Sequence, residues 1–165
     1  PSLVELADGT LAAHWLERNG ADQYSYNLRV ARSADSGKTW SVFFAPQPKA
    51  HNAYTGFVSM MPSPAGLAMA YLAPKETAGG GHDTKLHFAE FRSDGSPVSD
   101  SAVDLDVCSC CQTGVAWTDS GPVVVYRDHA KEVRDISIVR RVGKTWTAPA
   151  VVHADNWKIP GCPVN

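Results

Sequence analysis

Apolar positions along this chain fall in short runs, each entered from a glycine turn and closed by an aromatic residue. Gly9-Thr10-Leu11-Ala12-Ala13-His14-Trp15, Gly66-Leu67-Ala68-Met69-Ala70-Tyr71 and Gly121-Pro122-Val123-Val124-Val125-Tyr126 share that form. Their length and spacing predict strands. A second set of strands, with alternating or β-branched residues, is predicted after them at residues 26–32, 85–91 and 135–141. The apolar stretch 11–16 is too short for a stable helix and runs into the turn pair Asn19-Gly20. An all-β chain is therefore expected.

One turn between strands carries a specific pattern, Ser33-Ala34-Asp35-Ser36-Gly37-Lys38-Thr39-Trp40. Asp35 is placed to accept hydrogen bonds from turn amides, Gly37 supplies a permissive backbone, and Trp40 follows as an apolar anchor. Gly143-Lys144-Thr145-Trp146 repeats its second half, with Arg141 standing where Asp35 stood. Phe91-Arg92-Ser93-Asp94-Gly95-Ser96 reads as a degenerate hairpin between the two. Recurrence at this period predicts three successive four-stranded units, at about residues 1–46, 47–107 and 108–159, with 160–165 opening a further one. Trp40 and Trp146 are expected to be largely buried at equivalent positions.

The spacing S-x-D-x-G-x-T-W resembles the Asp-box of the sialidase-like (BNR-repeat) β-propellers. Ser33, Asp35, Gly37, Thr39 and Trp40 carry the complete motif, whose role in that family is structural. The resemblance implies a six-bladed β-propeller of which about three blades lie in this chain. A ring hides its sheet edges by closing, so the remainder of the propeller or a second copy is expected to complete it. The resemblance also implies an exported protein, periplasmic or extracellular, that acts on or binds acidic glycans in the manner of an exo-sialidase-type glycoside hydrolase. The family's arginine triad, Tyr–Glu pair and aspartic acid/base have no assigned counterparts here, and its arginine-isoleucine-proline motif is missing. The alternative is a non-catalytic binding propeller with a cysteine-lined metal or disulfide site.

Composition narrows the partners. A formal net charge of −2, without a basic stripe, argues against a nucleic-acid surface. No apolar run is long enough to span a membrane.

Four cysteines fall at Cys108, Cys110, Cys111 and Cys162. Aligning Cys111-Gln112-Thr113-Gly114 with Cys162-Pro163-Val164-Asn165 places Cys111 and Cys162 at equivalent points on innermost strands. His51 lies near the corresponding point of the middle unit, where Thr55-Gly56 matches Thr113-Gly114. One reading is a disulfide, for example Cys111 to Cys162. Another is a thiolate metal site for Cu(I) or Zn(II), since Cys108-Ser109-Cys110-Cys111 contains both C-x-x-C and C-x-C spacings. A third is free or redox-active thiols. Strand alternation would send Cys110 and Cys111 to opposite faces.

The charged loop 127–135 is the other candidate. Arg127 and Arg134 suit a carboxylate or sulfate, and His129 titrates near neutrality. Asp128 and Asp135 would either hold those guanidiniums or act as the catalytic acid/base groups. An Arg–Asp lattice that merely fixes the loop is the competing reading. On the expected strand order, this loop opens on the same face as the cysteine-bearing strand ends.

Overall fold

A computed structural model of the chain describes residues 1–18, 20, 26–42, 44–46, 56–75 and 84–159. Among these residues there is no helix, and hence none long and apolar enough to cross a membrane. Three antiparallel sheets follow one another along the sequence. The first contains β1 (Ser2–Glu5), β2 (Leu11–Arg18) and β3 (Tyr26–Ser33) in that spatial order. The second is β4 (Gly56–Ser63), β5 (Gly66–Pro74), β6 (Thr84–Arg92) and β7 (Pro97–Val107). The third runs β8 (Gly114–Thr118), β9 (Gly121–Arg127), β10 (Ile136–Val142), with β11 (Thr145–Trp146) and β12 (Ala150–His153) sharing the outer edge of β10.

Each sheet is thus a meander in which sequence neighbours pair, as tight glycine turns dictate. Gly66 shows the constraint most clearly. Its φ is +138°, and a Cβ there would lie 2.5 Å from the Ser93 backbone nitrogen, so the β4–β5 turn admits no side chain. The first sheet departs from the expected four strands. Beyond β3, the described residues offer the Val30–Phe44 bridge and a reciprocal pair in which the Ser41 amide donates to the Arg32 carbonyl and the Arg32 amide to the Ser41 hydroxyl.

The core is built on β5. From Leu67 to Ala73 every side chain is buried, and the strand's two-residue period sends alternate ones to opposite sides. Leu67, Met69, Tyr71 and Ala73 pack with Leu6, Ala12, Leu28 and Val30 of the first unit. Ala68, Ala70 and Leu72 pack with Val124, Tyr126 and Val139 of the third. The second sheet is therefore enclosed by its neighbours, while the first and third each keep an outer face in water. Leu3 is 60% exposed at one end of the stack and Val152 57% at the other. Polar contacts reinforce the second junction. Arg141 pairs with Glu90 of β6 and lies over the rings of Phe88 and Trp117.

The Ser33–Trp40 turn closes on itself as its residues foretell. Asp35 Oδ1 accepts from the Ser33 hydroxyl at 2.7 Å and the Thr39 amide at 2.8 Å, and Oδ2 from the Thr39 hydroxyl at 2.6 Å. Gly37 sits at φ +86°, and its amide donates to Ser33 Oγ. Trp40 corrects the sequence reading, being 44% exposed. Its repeat partner Trp146 is half-buried, edge-on to Phe88. The two differ because Trp146 meets the neighbouring sheet, whereas Trp40 follows a turn on the first sheet's outer margin.

The hydroxyl and amide bonds of Thr39, followed by that of Ser33, hold the Asp35 pKa at about 2, against an ordinary 3.8. A depressed carboxylate stabilises the fold above its unfolded pKa, so this contribution should fade as pH falls from about 4 towards 2. Asp35→Ala should lower the melting temperature at neutral pH and flatten that acid-side loss. Leu72→Ala, in the doubly covered strand, should cost about 2–5 kcal/mol in denaturant unfolding.

Candidate functional site

The chain leaves β7 at Val107 and crosses to the third sheet, where Val107 bridges Asp128 and the Cys108 amide donates to the Arg127 carbonyl at 3.0 Å. It then turns through residues 109–113 before entering β8. The turn is pinned from the second sheet: Gln112 Nε2 donates to the Val58 carbonyl, and Thr113 Oγ1 to the Phe57 carbonyl at 2.7 Å. Ser59 Oγ donates in turn to the Thr113 carbonyl. Cys108, Cys110 and Cys111 are thereby held at the junction of two sheets.

Within this turn the three sulfurs lie within 4.8 Å of one another. Cys108 Sγ is 2.9 Å from Cys111 Sγ and 3.8 Å from Cys110 Sγ. Neither Cys108 nor Cys111 is in a disulfide, whereas Cys110 is. This overturns the disulfide expected at Cys111. It also overturns the opposite-face placement of Cys110 and Cys111, because strand alternation does not govern a turn. Cys111 precedes β8 instead of lying on it. Cys162 and His51 lie outside the described residues.

The loop 127–135 packs against the cysteines. Arg134 Nη1 donates to Cys108 Sγ at 3.3 Å, and its Nε to the Ile159 carbonyl at 3.2 Å. Arg127 Nη1 donates to the Arg134 carbonyl at 2.6 Å, its guanidinium lies 4.7 Å from the Trp157 ring centroid, and it also interacts with Cys111. Two sulfurs this close cannot both be ionised. The Cys111 thiol donates to Cys108, and with help from the Cys110 amide and Arg134 it draws the Cys108 pKa well below the ordinary thiol value despite burial. The same bond and the Cys108 charge push Cys111 up. Cys108 is therefore the thiolate of the pair.

The loop's acids do not hold the arginines. Asp135 is buried and accepts the Asn156 and Trp157 amides, both at 3.1 Å, fixing the strap 156–159 that covers Arg127. Both of its oxygens are thus engaged by backbone amides. Asp128 accepts the His129 amide at 2.7 Å and the Ser137 hydroxyl at 3.2 Å. Burial raises its pKa, and the nearby Asp104 and Asp106 charges add to that. His129 Nδ1 is 3.4 Å from Asp106, and its Nε2 is buried without a hydrogen bond, 3.5 Å from Glu132. Asp106 also pairs with Lys75 at 2.9 Å.

Trp157, Lys75, Asp104 and Asp106 were not legible as site residues. Their partners lie more than twenty residues away in sequence, and no spacing signals them.

No protein-family model matches the chain, and no curated protein does. Among solved structures it is similar to the crystal structure of a protein of unknown function from Dyadobacter fermentans DSM 18053, with a TM-score of 0.63 and 20% identity. The match covers 90% of this chain and 49% of that one, so this chain spans about half that protein's length. At this identity the likeness concerns the fold.

Removing the Arg134 guanidinium takes a donor and a positive charge from Cys108. Arg134→Ala should shift the thiolate's ultraviolet titration towards higher pH. Asp128→Asn should leave that titration unchanged, because Asp128 makes no hydrogen bond to a sulfur.

Proposed function

We propose that the chain is part of a sialidase-like six-bladed β-propeller whose role is to bind a thiophilic metal ion, Cu(I) or Zn(II), at the cysteine turn. The approach of the Cys108 and Cys111 sulfurs, with Arg134 on Cys108, carries this reading. Ligands at about 2.3 Å around a tetrahedral ion stand about 3.8 Å apart. The closer Cys108–Cys111 pair would lose its shared proton to a metal and open by about an ångström on the same geometry. With Cys110 in its disulfide, Cys108 and Cys111 supply two thiolates, a set that suits Cu(I); reduction of Cys110 would add a third. Arg127 and Arg134 would offset the negative charge from the second shell of neighbours.

The propeller assignment draws support from three meander sheets stacked face to face, from the neighbouring first strands β1, β4 and β8, and from the closed Asp-box turn. The open outer faces of the first and third sheets suit further blades, from a longer chain or a second copy. The disulfide at Cys110 suits an exported protein in the periplasm or outside the cell. Acidic-glycan hydrolysis has less support. Arg134 is engaged by a sulfur and a carbonyl, Arg127 by a carbonyl and an indole, and Asp135 by two amides.

Anaerobic titration with Cu(I) against a competing chelator should show one ion per chain and a thiolate-to-copper absorption band. Cys108→Ser and Cys111→Ser should each abolish stoichiometric binding, and Arg134→Ala should weaken it by about 10–100-fold. Stoichiometric binding retained in the double serine variant would overturn the metal reading. Release of sialic acid from a glycan by the wild type, lost in Asp128→Asn, would restore the hydrolase one.

A further inference from the structure

The two outer faces of the stack match one another. Inside the stack, where the third sheet docks on the second, Trp146 lies edge-on to Phe88 with ring centroids 5.0 Å apart. Arg141 pairs with Glu90, and Val115 and Trp117 pack on the same core. The first sheet turns the counterparts of these docking groups outward. Trp40, which repeats Trp146, is 44% exposed, and Leu3 is 60% exposed. Val4 packs inward, so strand alternation turns Leu3 and Glu5 to the outer side, where both are exposed. Glu5 pairs with Leu11 at the turn end of its hairpin, the place that Trp117 holds opposite Pro122.

The third sheet carries the receiving surface. Ile138 lies opposite Val125, four residues past Gly121, as Phe88 lies opposite Ala70, four past Gly66. By the same register Arg140, opposite Val123, stands where Glu90 stands opposite Ala68. Val124, Tyr126 and Val139 point into the stack, so Val123, Val125, Ile138 and Arg140 line the outer side. Val125 and Arg140 are exposed there. Val123, Val125 and Ile138 thus form an apolar strip that offers Trp40 a seat of the kind Phe88 gives Trp146. The charges are complementary as well, with the polarity of the internal junction reversed. Inside the stack the receiving sheet supplies the acid Glu90 and the docking sheet the base Arg141. On the outer faces the receiving sheet supplies Arg140 and the docking sheet Glu5.

We propose that the outer face of the first sheet docks on the outer face of the third sheet of a second copy of this chain, with Trp40 against Ile138 and Glu5 beside Arg140. Both faces belong to one sequence, so a second copy brings the complement of each. Docking removes from water the apolar area that a single chain leaves exposed at Leu3, Trp40 and Val125. The contact is head-to-tail, and two copies that close on each other make it twice. That closure at two rests on the six-bladed propeller reading, whereas the contact rests on the two faces alone.

Sedimentation velocity at low ionic strength, over a series of protein concentrations, reads the assembly directly. The wild-type chain should run as two chains per particle. Trp40→Ala, Glu5→Arg and Arg140→Glu should each weaken association by roughly tenfold or more. All three positions are exposed, so the circular dichroism of each variant should stay that of the wild type. Mixing distinguishes this contact from a dimer built on like faces. In an equimolar mixture of the Glu5→Arg and Arg140→Glu chains, a mixed pair has opposite charges at both of its contacts, whereas each variant alone has like charges at both. The mixture should therefore recover wild-type assembly. A wild-type chain that stays monomeric throughout the series would overturn the second copy as occupant and leave the faces to blades of a longer chain. Association indifferent to all three substitutions, or a mixture no better assembled than its components, would overturn the docking surface. Recovery on mixing in particles that grow past two chains would uphold the contact and overturn the six-bladed closure.

Discussion

Burial of β5 on both faces is the constraint on which the rest of this structure depends. A strand with a two-residue period normally offers one side to a core and the other to water, but β5 is apolar at every step from Leu67 to Ala73. Such a strand needs a sheet on each side. Leu67, Met69 and Tyr71 take the first sheet and Ala68, Ala70 and Leu72 the third, so the order of the stack follows from the parity of β5. Small residues at Ala68 and Ala70 leave room for Tyr126 and Val124 to approach from the third sheet.

That packing also sets where the cysteines come to rest. The connection from β7 to β8 must cross between two tightly packed sheets, and it does so as a turn fixed by Gln112 and Thr113 to β4. Cys108 pairs with the end of β9, directly beside the loop that carries Arg127 and Arg134. The arginines are then fixed from behind by carbonyls and by Trp157, whose own strap hangs on Asp135. Each member of this network is satisfied by a different segment, and the sulfur cluster forms only where the segments meet. Arg134 beside Cys108 and Arg127 beside Cys111 favour negative charge on sulfur there.

The histidines occupy a different physical setting. His14 is buried on β2 against the Ser2 hydroxyl at 2.8 Å, and burial pushes its pKa down. His87 stacks on Tyr71 and shares Asp100 with it, at 2.9 Å and 2.8 Å respectively. Both serve sheet packing. Among the described residues, His129 stands near the cysteine turn, joined to it through Asp106 instead of through sulfur.

The local rules of the chain were open to reading from residues alone. Glycine turns, short apolar runs and the Ser33–Trp40 turn each act within a few residues, so the strands of β2, β5 and β9, the hairpins that follow, and the bonds of Asp35 were legible in order and position. The same residues carried the presence of a cysteine-rich turn and a charged loop. Which sulfurs stay out of a disulfide was decided only in three dimensions. Pairing depends on a turn geometry that strand alternation does not describe, and Cys111 faces Cys108 because that turn folds back on itself. Trp40 stayed exposed while its repeat partner Trp146 found Phe88 of the adjacent sheet, a difference in neighbours that identical words in the sequence do not contain. Asp135 became a clasp for two amides of a distant strap, since a carboxylate's role is set by the donors that reach it, and those donors lie more than twenty residues away.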